Sequence, residues 1–250
     1  MTVLELYKHF DKLFPRELSC EWDNDGLMCS SDPSREADSV LVCLDVTDEA
    51  VEYAINGKFD VIVSHHQLIF KGLKAINPEN FVSNKAIKLI GAGISVMSFH
   101  TRLDAAKGGV NDILANLLGL SNTEPFGDGI GRIGTLKHPV SVMEFASTVK
   151  DALGAPFVSV ADAEREVSTV AVLGGSGKDY VGDAIEKGAD VYVSGEFGHH
   201  PLTDAPDMGI TLIEAGHFYT EAPVCTLLAD TVGRLGIYSE IFNSNKIKQI

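Results

Sequence analysis

The stretch Asp48–Ser64, DEAVEYAINGKFDVIVS, decides the fold because it returns later in the chain as Lys178–Ser194, KDYVGDAIEKGADVYVS. The two stretches align without a gap. Each joins a helical pattern to a short β-branched apolar run. Identical positions include Val51/Val181, Ala54/Ala184, Ile55/Ile185, Asp60/Asp190, Val63/Val193 and Ser64/Ser194. The repeat predicts two units of one supersecondary type.

A second pair of segments extends the repeat. Residues 93–96, GISV, resemble residues 209–212, GITL, and each is followed by a histidine with an acidic residue four positions later: HTRLD at 100–104 and HFYTE at 217–221. Directly after the first repeat, however, His65 and His66 fall opposite Gly195 and Glu196. Only the first unit therefore keeps a His pair, whereas both units keep the His-x-x-x-acid pattern.

Metal-competent side chains follow the buried strands of both units. Residues four apart in a helix share one face, so the imidazole and the carboxylate of each His-x-x-x-acid segment can converge on one ion. Neighbouring residues of a strand point to opposite faces, so His65 and His66 either splay around one ion or serve two adjacent ions, and we favour two. The candidate ligands are His65, His66, Asp104, His217 and Glu221, with His100 as the least secure addition.

The ligand atoms of the candidate site limit which metal ions and which reactions suit it. Imidazole and carboxylate suit Zn, Fe, Mn, Co or Ni, and the absence of thiolates argues against a structural zinc site. Two divalent ions bring roughly four positive charges against the two carboxylates Asp104 and Glu221, so the site favours a small anionic substrate. Water on such ions ionises near a pKa of about 7, which makes hydrolysis the default chemistry. Glu196 and His100 are the candidates for proton transfer; His100 could instead orient a ligand.

Five blocks of the sequence carry a family resemblance. They are EWDNDGL at 21–27, SHHQLIF at 64–70, FHTRLDAAKGGVND at 99–112, GGSG at 174–177 and GHFYTE at 216–221. In this order they resemble the signature blocks of the Nif-three-like dinuclear-metal family, also called GTP cyclohydrolase type 2 homologues. The resemblance implies two interleaved α/β halves, a toroidal homohexamer and a dinuclear centre, with metal roles for His65, His66, Asp104, His217 and Glu221. Gln67 stands where members of the family often have proline.

The sequence leaves several functions open. We favour a dinuclear-metal-dependent hydrolase acting on a small phosphorylated or nucleotide-like substrate, with GTP ring opening as one possibility. The alternative is a metal-binding hexameric scaffold, or a metal-trafficking protein without turnover. Ligand types alone do not separate these functions, because they do not show an open coordination position.

Composition indicates a cytoplasmic protein. The chain has 250 residues, 45% hydrophobic and 22% charged, and no apolar run reaches the roughly 18 residues that a membrane span needs. The amphipathic N-terminus predicts a helix rather than a signal peptide. Four cysteines without C-x-x-C spacing predict reduced thiols. A net charge of −15 makes nucleic-acid binding unfavourable.

The order of elements predicts an α/β fold with two similar interleaved halves and mixed sheets. Strand-like and helix-like runs alternate, and near-continuous apolar strands indicate sheets covered on both faces. Such folds bind ligands at the carboxyl ends of strands, where all the candidate ligands lie. We expect halves at 1–125 and 126–250, with the site at their interface and the glycine-rich stretch FGDGIGRIGTLKHP at 126–139 as the junction.

Other residues near the motifs have two interpretations each. Arg102 is the best candidate for a substrate clamp among the basic residues, although surface charge is the commoner role. Residues 174–177 either present backbone N–H groups to a phosphate or form a strand-to-helix turn. His199 and His200 either line the metal cavity or lie at the surface. Trp22, with Asp23 and Asn24, is interpreted as an anchoring corner of the fold.

Overall fold

The computed structural model describes residues 1–242 and 244–248, which fold as two compact units. Unit 1 comprises Met1–Leu103 together with Val224–Lys248, and unit 2 comprises Asp104–Pro223. The helices are α1 Val3–Leu13, α2 Asp48–Gly57, α3 Phe81–Gly91, α4 Thr101–Ala105, α5 Val110–Leu117, α6 Val142–Leu153, α7 Val181–Glu186, α8 His199–Asp204, α9 His217–Glu221 and α10 Val224–Gly233. No helix in these described ranges is both long enough and apolar enough to cross a membrane.

Unit 1 is built on a five-stranded sheet. Its strands are β1 Gly26–Cys29, β2 Ser39–Cys43, β3 Val61–Ser64, β4 Ser95–Ser98 and β11 Tyr238–Ile241, in the order β1-β4-β3-β2-β11. Strands β4, β3, β2 and β11 are parallel, and β1 is antiparallel at the edge. The central strands are buried along nearly their whole length, which explains their continuous apolar sequences.

Unit 2 is built on a six-stranded mixed sheet. Its strands are β5 Ser121–Phe126, β6 Gly131–Val140, β7 Ser159–Ala161, β8 Val167–Ser176, β9 Val191–Glu196 and β10 Thr211–Glu214, in the order β5-β6-β8-β9-β10-β7. Strands β8, β9 and β10 are parallel, as are β2, β3 and β4 of unit 1. Helices α5 and α6 contribute Leu114, Phe145 and Val149 to the apolar core beneath the sheet.

The repeat extends to individual hydrogen bonds. In unit 1 the Asp60 carboxylate accepts bonds from the Ser39 backbone N–H (3.0 Å) and hydroxyl (2.9 Å). At the equivalent position of unit 2, the Asp190 carboxylate accepts from the Thr169 N–H at 2.8 Å. These carboxylates tie the start of one central strand to the start of the next, so the same device sets the register of both sheets.

A pair of arginines repeats in the same way. Arg35 donates to the Gly93 carbonyl oxygen at 2.9 Å, and Arg165 donates to the Gly209 carbonyl oxygen at 3.0 Å. Both glycines have positive φ, 75° and 83°, and they lie in the turns before β4 and β10, respectively. The two units therefore share turn chemistry as well as strand order.

The prediction of an α/β fold with mixed sheets and interleaved halves is confirmed, but the units do not follow the linear division at residue 125. The chain leaves unit 1 after Leu103 and returns to it at Val224, because α10 and β11 complete the first sheet. The glycine-rich stretch at 126–139 is not a junction. It forms the turn and second strand of the β5–β6 hairpin inside unit 2.

Candidate metal centre

Three imidazoles gather at the carboxyl ends of β3 and β4 in unit 1. His65 and His66 follow β3, and His100 lies two residues after β4. Each offers one ligand atom, and the three atoms lie within 4.8 Å of one another. His65 is fully buried, whereas the other two are partly exposed. Adjacent His65 and His66 converge because the strand ends at Ser64, as the sequence predicts.

Each of these rings is oriented through its Nδ1 atom. His65 Nδ1 lies 3.0 Å from the Phe99 carbonyl oxygen, which can only accept, so His65 carries its proton on Nδ1 and presents Nε2 as a ligand atom. His66 Nδ1 lies 2.8 Å from an Asp45 carboxylate oxygen. Carboxylate and carbonyl partners of this kind fix the tautomer and raise the basicity of a metal-binding imidazole.

His100 is held by a polar corner that includes Asp23. Its Nδ1 lies 3.1 Å from an Asp23 carboxylate oxygen and 2.9 Å from Gln67 Nε2. Burial alone would raise the pKa of Asp23, but hydrogen bonds from His100 and Thr101 hold that pKa well below its usual range. Asp23 is therefore ionised. Gln67, at the position where members of the family often have proline, donates from Nε2 to the same carboxylate.

Unit 2 gathers one further carboxylate and one imidazole around Glu221. On α9, His217 Nε2 lies 3.0 Å from Glu221 Oε2, the i,i+4 arrangement that the sequence predicts. Asp104 and Glu221 each offer a ligand oxygen within 4.8 Å of the other. Both carboxylates are buried, with exposures of 7% and 3%. A buried carboxylate pair is costly unless protons or cations lie beside it, so this arrangement suits a divalent ion.

Glu196 lies against the far side of the His217 ring. Its carboxylate is 3.3 Å from His217 Nδ1, and the Glu196 side chain is 57% exposed. His217 thus has a carboxylate partner on Nδ1, as His66 does in unit 1. The geometry makes Glu196 an orienting group for this imidazole, and its exposure leaves it accessible to solvent and substrate.

The GGSG segment packs against these ligands instead of forming a phosphate cradle. A Cβ atom on Gly175, whose φ is +72°, would overlap a Glu221 carboxylate oxygen and lie 3.1 Å from His217 Nε2. A Cβ on Gly174 would come within 3.1 Å of Glu221 Cγ. Residues 174–176 are the end of β8 and Gly177 leads on toward α7, and Gly174 and Gly175 make room for the α9 ligands.

Three groups of residues lie near the ligands, and for one of them, Arg102, the predicted substrate-clamp role is wrong. Arg102 is completely buried, and it donates to both Asp25 carboxylate oxygens at 2.8 and 2.9 Å, so it is a structural ion pair and not a substrate clamp. Asp23 and Asn24 do anchor their corner, but Trp22 is 62% exposed. His199 and His200 are exposed on α8 and belong to none of the ligand groups found among the described residues.

Comparison with known proteins decides the family. The profile of the DUF34/NIF3 family (NGG1p interacting factor 3) matches residues 1–248. The chain belongs to the DUF34/NIF3 family. A GTP cyclohydrolase 1 type 2 homolog of Clostridium perfringens is 31% identical over 240 residues, covering 93% of this chain and 91% of that protein. The NIF3 homolog of Schizosaccharomyces pombe is 33% identical over 264 residues, covering 96% and 94%.

Solved DUF34/NIF3-like structures match the same length of chain. Staphylococcus aureus hypothetical protein SA1388 superposes with a TM-score of 0.88 at 27% identity, over 100% of this chain and 99% of that one. Reduced HcgD of Methanocaldococcus jannaschii gives a TM-score of 0.86 at 28% identity, over 96% and 97%. The family resemblance and the α/β fold predicted from the sequence blocks are both confirmed.

Sequence reasoning missed the groups that orient the ligands in this DUF34/NIF3 protein. Asp45 lies two residues after the end of strand β2, and Asp23 was assigned only an anchoring role. A carboxylate or carbonyl on Nδ1 is the usual companion of a metal-binding histidine. A search for acidic residues just after the neighbouring strands could have found Asp45. The Asp23 contact bridges 77 positions of sequence and gives no local signal.

Proposed function

We propose that this DUF34/NIF3 protein is a metal-dependent hydrolase that binds two divalent ions through His65, His66, Asp104, His217 and Glu221. The observation that carries the proposal is the orientation of the histidines by acceptors on Nδ1. Rings held in this way present their other nitrogen for coordination. A purely structural role would not require three different histidines each to place Nδ1 against an oxygen acceptor.

The donor set supports divalent ions of the zinc, iron, manganese, cobalt or nickel type. It combines imidazoles with the carboxylates of Asp104 and Glu221, and cysteine is absent from both ligand groups. When bound, such ions supply Lewis acidity and lower the pKa of water, which is the chemistry of hydrolysis. The relatives named GTP cyclohydrolase 1 type 2 homologs are consistent with a phosphorylated or nucleotide-like substrate.

The chain's own groups have distinct roles in this proposal. His65 and His66 bind through nitrogens set by Phe99 and Asp45. Glu196, exposed and in contact with His217, is the group best placed to accept or return a proton. His100 adds a third imidazole beside the His pair, and its Nδ1 contact with Asp23 fits a ligand or a ligand-orienting group.

The proposal is tested first by metal content. Purified protein is expected to hold about two divalent ions per chain, and His66→Ala and Glu221→Ala should each lose at least one of them. His138→Ala is the matched control, since His138 is exposed and outside both ligand groups. Circular dichroism and denaturant unfolding check that the variants stay folded. Full metal content in both ligand variants would overturn the ligand assignment.

Turnover is tested on the same preparations. Phosphoesters and nucleotides are screened with and without a chelator, and we expect hydrolysis that the chelator abolishes and that re-added metal restores. Two ions per chain with no turnover of any compound would instead favour a metal-binding scaffold or a metal-trafficking protein. Native mass spectrometry of the same samples tests the expected homohexamer.

A further inference from the structure

The only tryptophan of the chain is exposed beside the histidine trio of unit 1. Trp22 has 62% of its surface exposed, and its indole centroid lies 6.1 Å from the His100 ring at an angle of 71°. The ring of Phe70, which is 49% exposed, lies 6.0 Å from the indole centroid at an angle of 67°. Large aromatic side chains left in water next to polar functional groups mark surfaces that bind something.

The backbone that carries Trp22 is fixed on both sides. Residues 20–23 form a turn closed by the Asp23 N–H to the Cys20 carbonyl oxygen at 3.0 Å. Cys20 N–H then donates to Thr101 Oγ1 at 2.9 Å, and Asp23 accepts from the Thr101 N–H at 3.0 Å. On the next residue, Asn24 donates to the Ile69 carbonyl oxygen at 2.6 Å, beside Phe70. The indole therefore projects from a rigid corner, and little conformational entropy is lost when a ligand stacks on it.

We propose that Trp22 and Phe70 form a stacking subsite for a planar heteroaromatic ring of the substrate. The inference rests on the proposed metal-dependent function, because His100 connects the aromatic pair to the ligand histidines. A ring on the indole face lies beside His100, so an anionic group attached to that ring extends toward the histidine trio. Stacking of a base on an exposed aromatic residue tolerates any base, because every base has a π-face.

Charge also favours a ring-bearing ligand over a bare anion. The chain carries a net charge of −15, which disfavours the binding of free anions. A stacking contact is independent of this charge and of salt. The aromatic pair therefore selects nucleotide-like anions over phosphate or sugar phosphates, which the cations alone would bind.

The test uses the single tryptophan as its own reporter. Metal-loaded protein is titrated with GMP and with ribose 5-phosphate, following Trp22 fluorescence and, independently, heat by calorimetry. GMP should quench the emission, whereas ribose 5-phosphate should not. Trp22→Ala should weaken GMP binding about tenfold or more, and Phe70→Ala less, with ribose 5-phosphate affinity and metal content unchanged. Phe157→Ala is the matched control, because Phe157 is also 49% exposed but lies in unit 2.

Each contrary outcome has a separate meaning. Unchanged GMP affinity in Trp22→Ala would overturn the subsite, as would the absence of GMP binding by protein that holds its metal. An emission typical of a buried indole, with a lower oligomeric mass in Trp22→Ala, would also overturn it and show that a second copy of the chain covers the residue. Protein without bound metal would instead refute the metal proposal on which the subsite depends.

Discussion

The two units use one scaffold but place different chemistry at the end of the middle strand. After β3, unit 1 has His65 and His66, both in the imidazole trio. At the corresponding end of β9, unit 2 has Gly195 and Glu196, and of these two only the glutamate contacts an imidazole, that of His217. The comparison shows that the repeated backbone sets where ligands can stand, while the packing around each strand end decides which residue fits.

Packing excludes a histidine from position 195 of unit 2, the position equivalent to His65 of unit 1. A Cβ atom on Gly195 would lie 2.5 Å from the Gly175 carbonyl oxygen and 2.7 Å from His217 Cα. Both neighbours are backbone atoms, so no side-chain rotation can relieve the contact. In unit 2 the end of β8 and helix α9 pack against this strand end, and α9 supplies the candidate ligands His217 and Glu221 instead. In unit 1 the same position has room for a complete imidazole.

The largest expected effect comes from substituting alanine at these two equivalent positions. Gly195→Ala should lower the free energy of unfolding by about 3 kcal/mol, because the backbone of β8 or α9 must move to admit one methyl group. His65→Ala, at the equivalent position of unit 1, removes a buried ring without creating a clash and should cost less than Gly195→Ala. Urea unfolding of metal-free protein measures both. Equal losses would show that the two strand ends are packed alike.

A smaller effect tests the shared register device. Asp60→Ala and Asp190→Ala each remove a carboxylate that accepts backbone N–H bonds, and each should cost about 2 kcal/mol of unfolding free energy. If the units are equivalent scaffolds, the two losses agree within the error of urea unfolding. The isosteric Asp60→Asn and Asp190→Asn variants serve as controls and should retain part of the stability. A loss confined to one unit would contradict the equivalence.

The smallest expected effect concerns the residue that ends the first helix of the repeat. Lys58 has a φ of 57°, and its counterpart Gly188 has a φ of 78°. Left-handed backbone is strained for residues with a Cβ, so Lys58→Gly should raise the free energy of unfolding by about 0.5–1 kcal/mol. Gly188→Lys should lower it by a similar amount. Thermal unfolding detects both, and a destabilised Lys58→Gly would mean that the lysine side chain stabilises its turn.

The central strands, and the grouping of the candidate metal-binding side chains at their ends, could be predicted from sequence. Strands β2, β3, β4, β8, β9 and β10 are buried along most of their length, so β-branched and other apolar residues dominate them and the signal is strong. The edge strands gave no such signal. For example, β5 reads SNTEPF with five exposed positions and a proline, and β11 packs only along an edge.

The errors in the site have a common physical cause. The roles of Arg102 and Trp22 were predicted from neighbours in sequence, and Gln67 gave no signal, but the environments of all three come from distant residues. Arg102 is buried by Asp25, 77 positions away, and Gln67 reaches Asp23 across 44 positions. Burial of a charged residue and exposure of a tryptophan both run against residue type. Only the tertiary contacts reveal them.

The return of the chain to unit 1 at Val224 has a consequence for synthesis on the ribosome. Unit 2 is one continuous segment, so all of its strands are available once residue 223 has emerged. The sheet of unit 1 must wait longer, because β11 pairs with β2, whose sequence emerges nearly two hundred residues earlier. During that interval β2 presents an unpaired edge, the type of edge that invites pairing with other chains. The sheet of unit 1, which contains the first strands to be synthesised, is thus the last to be completed.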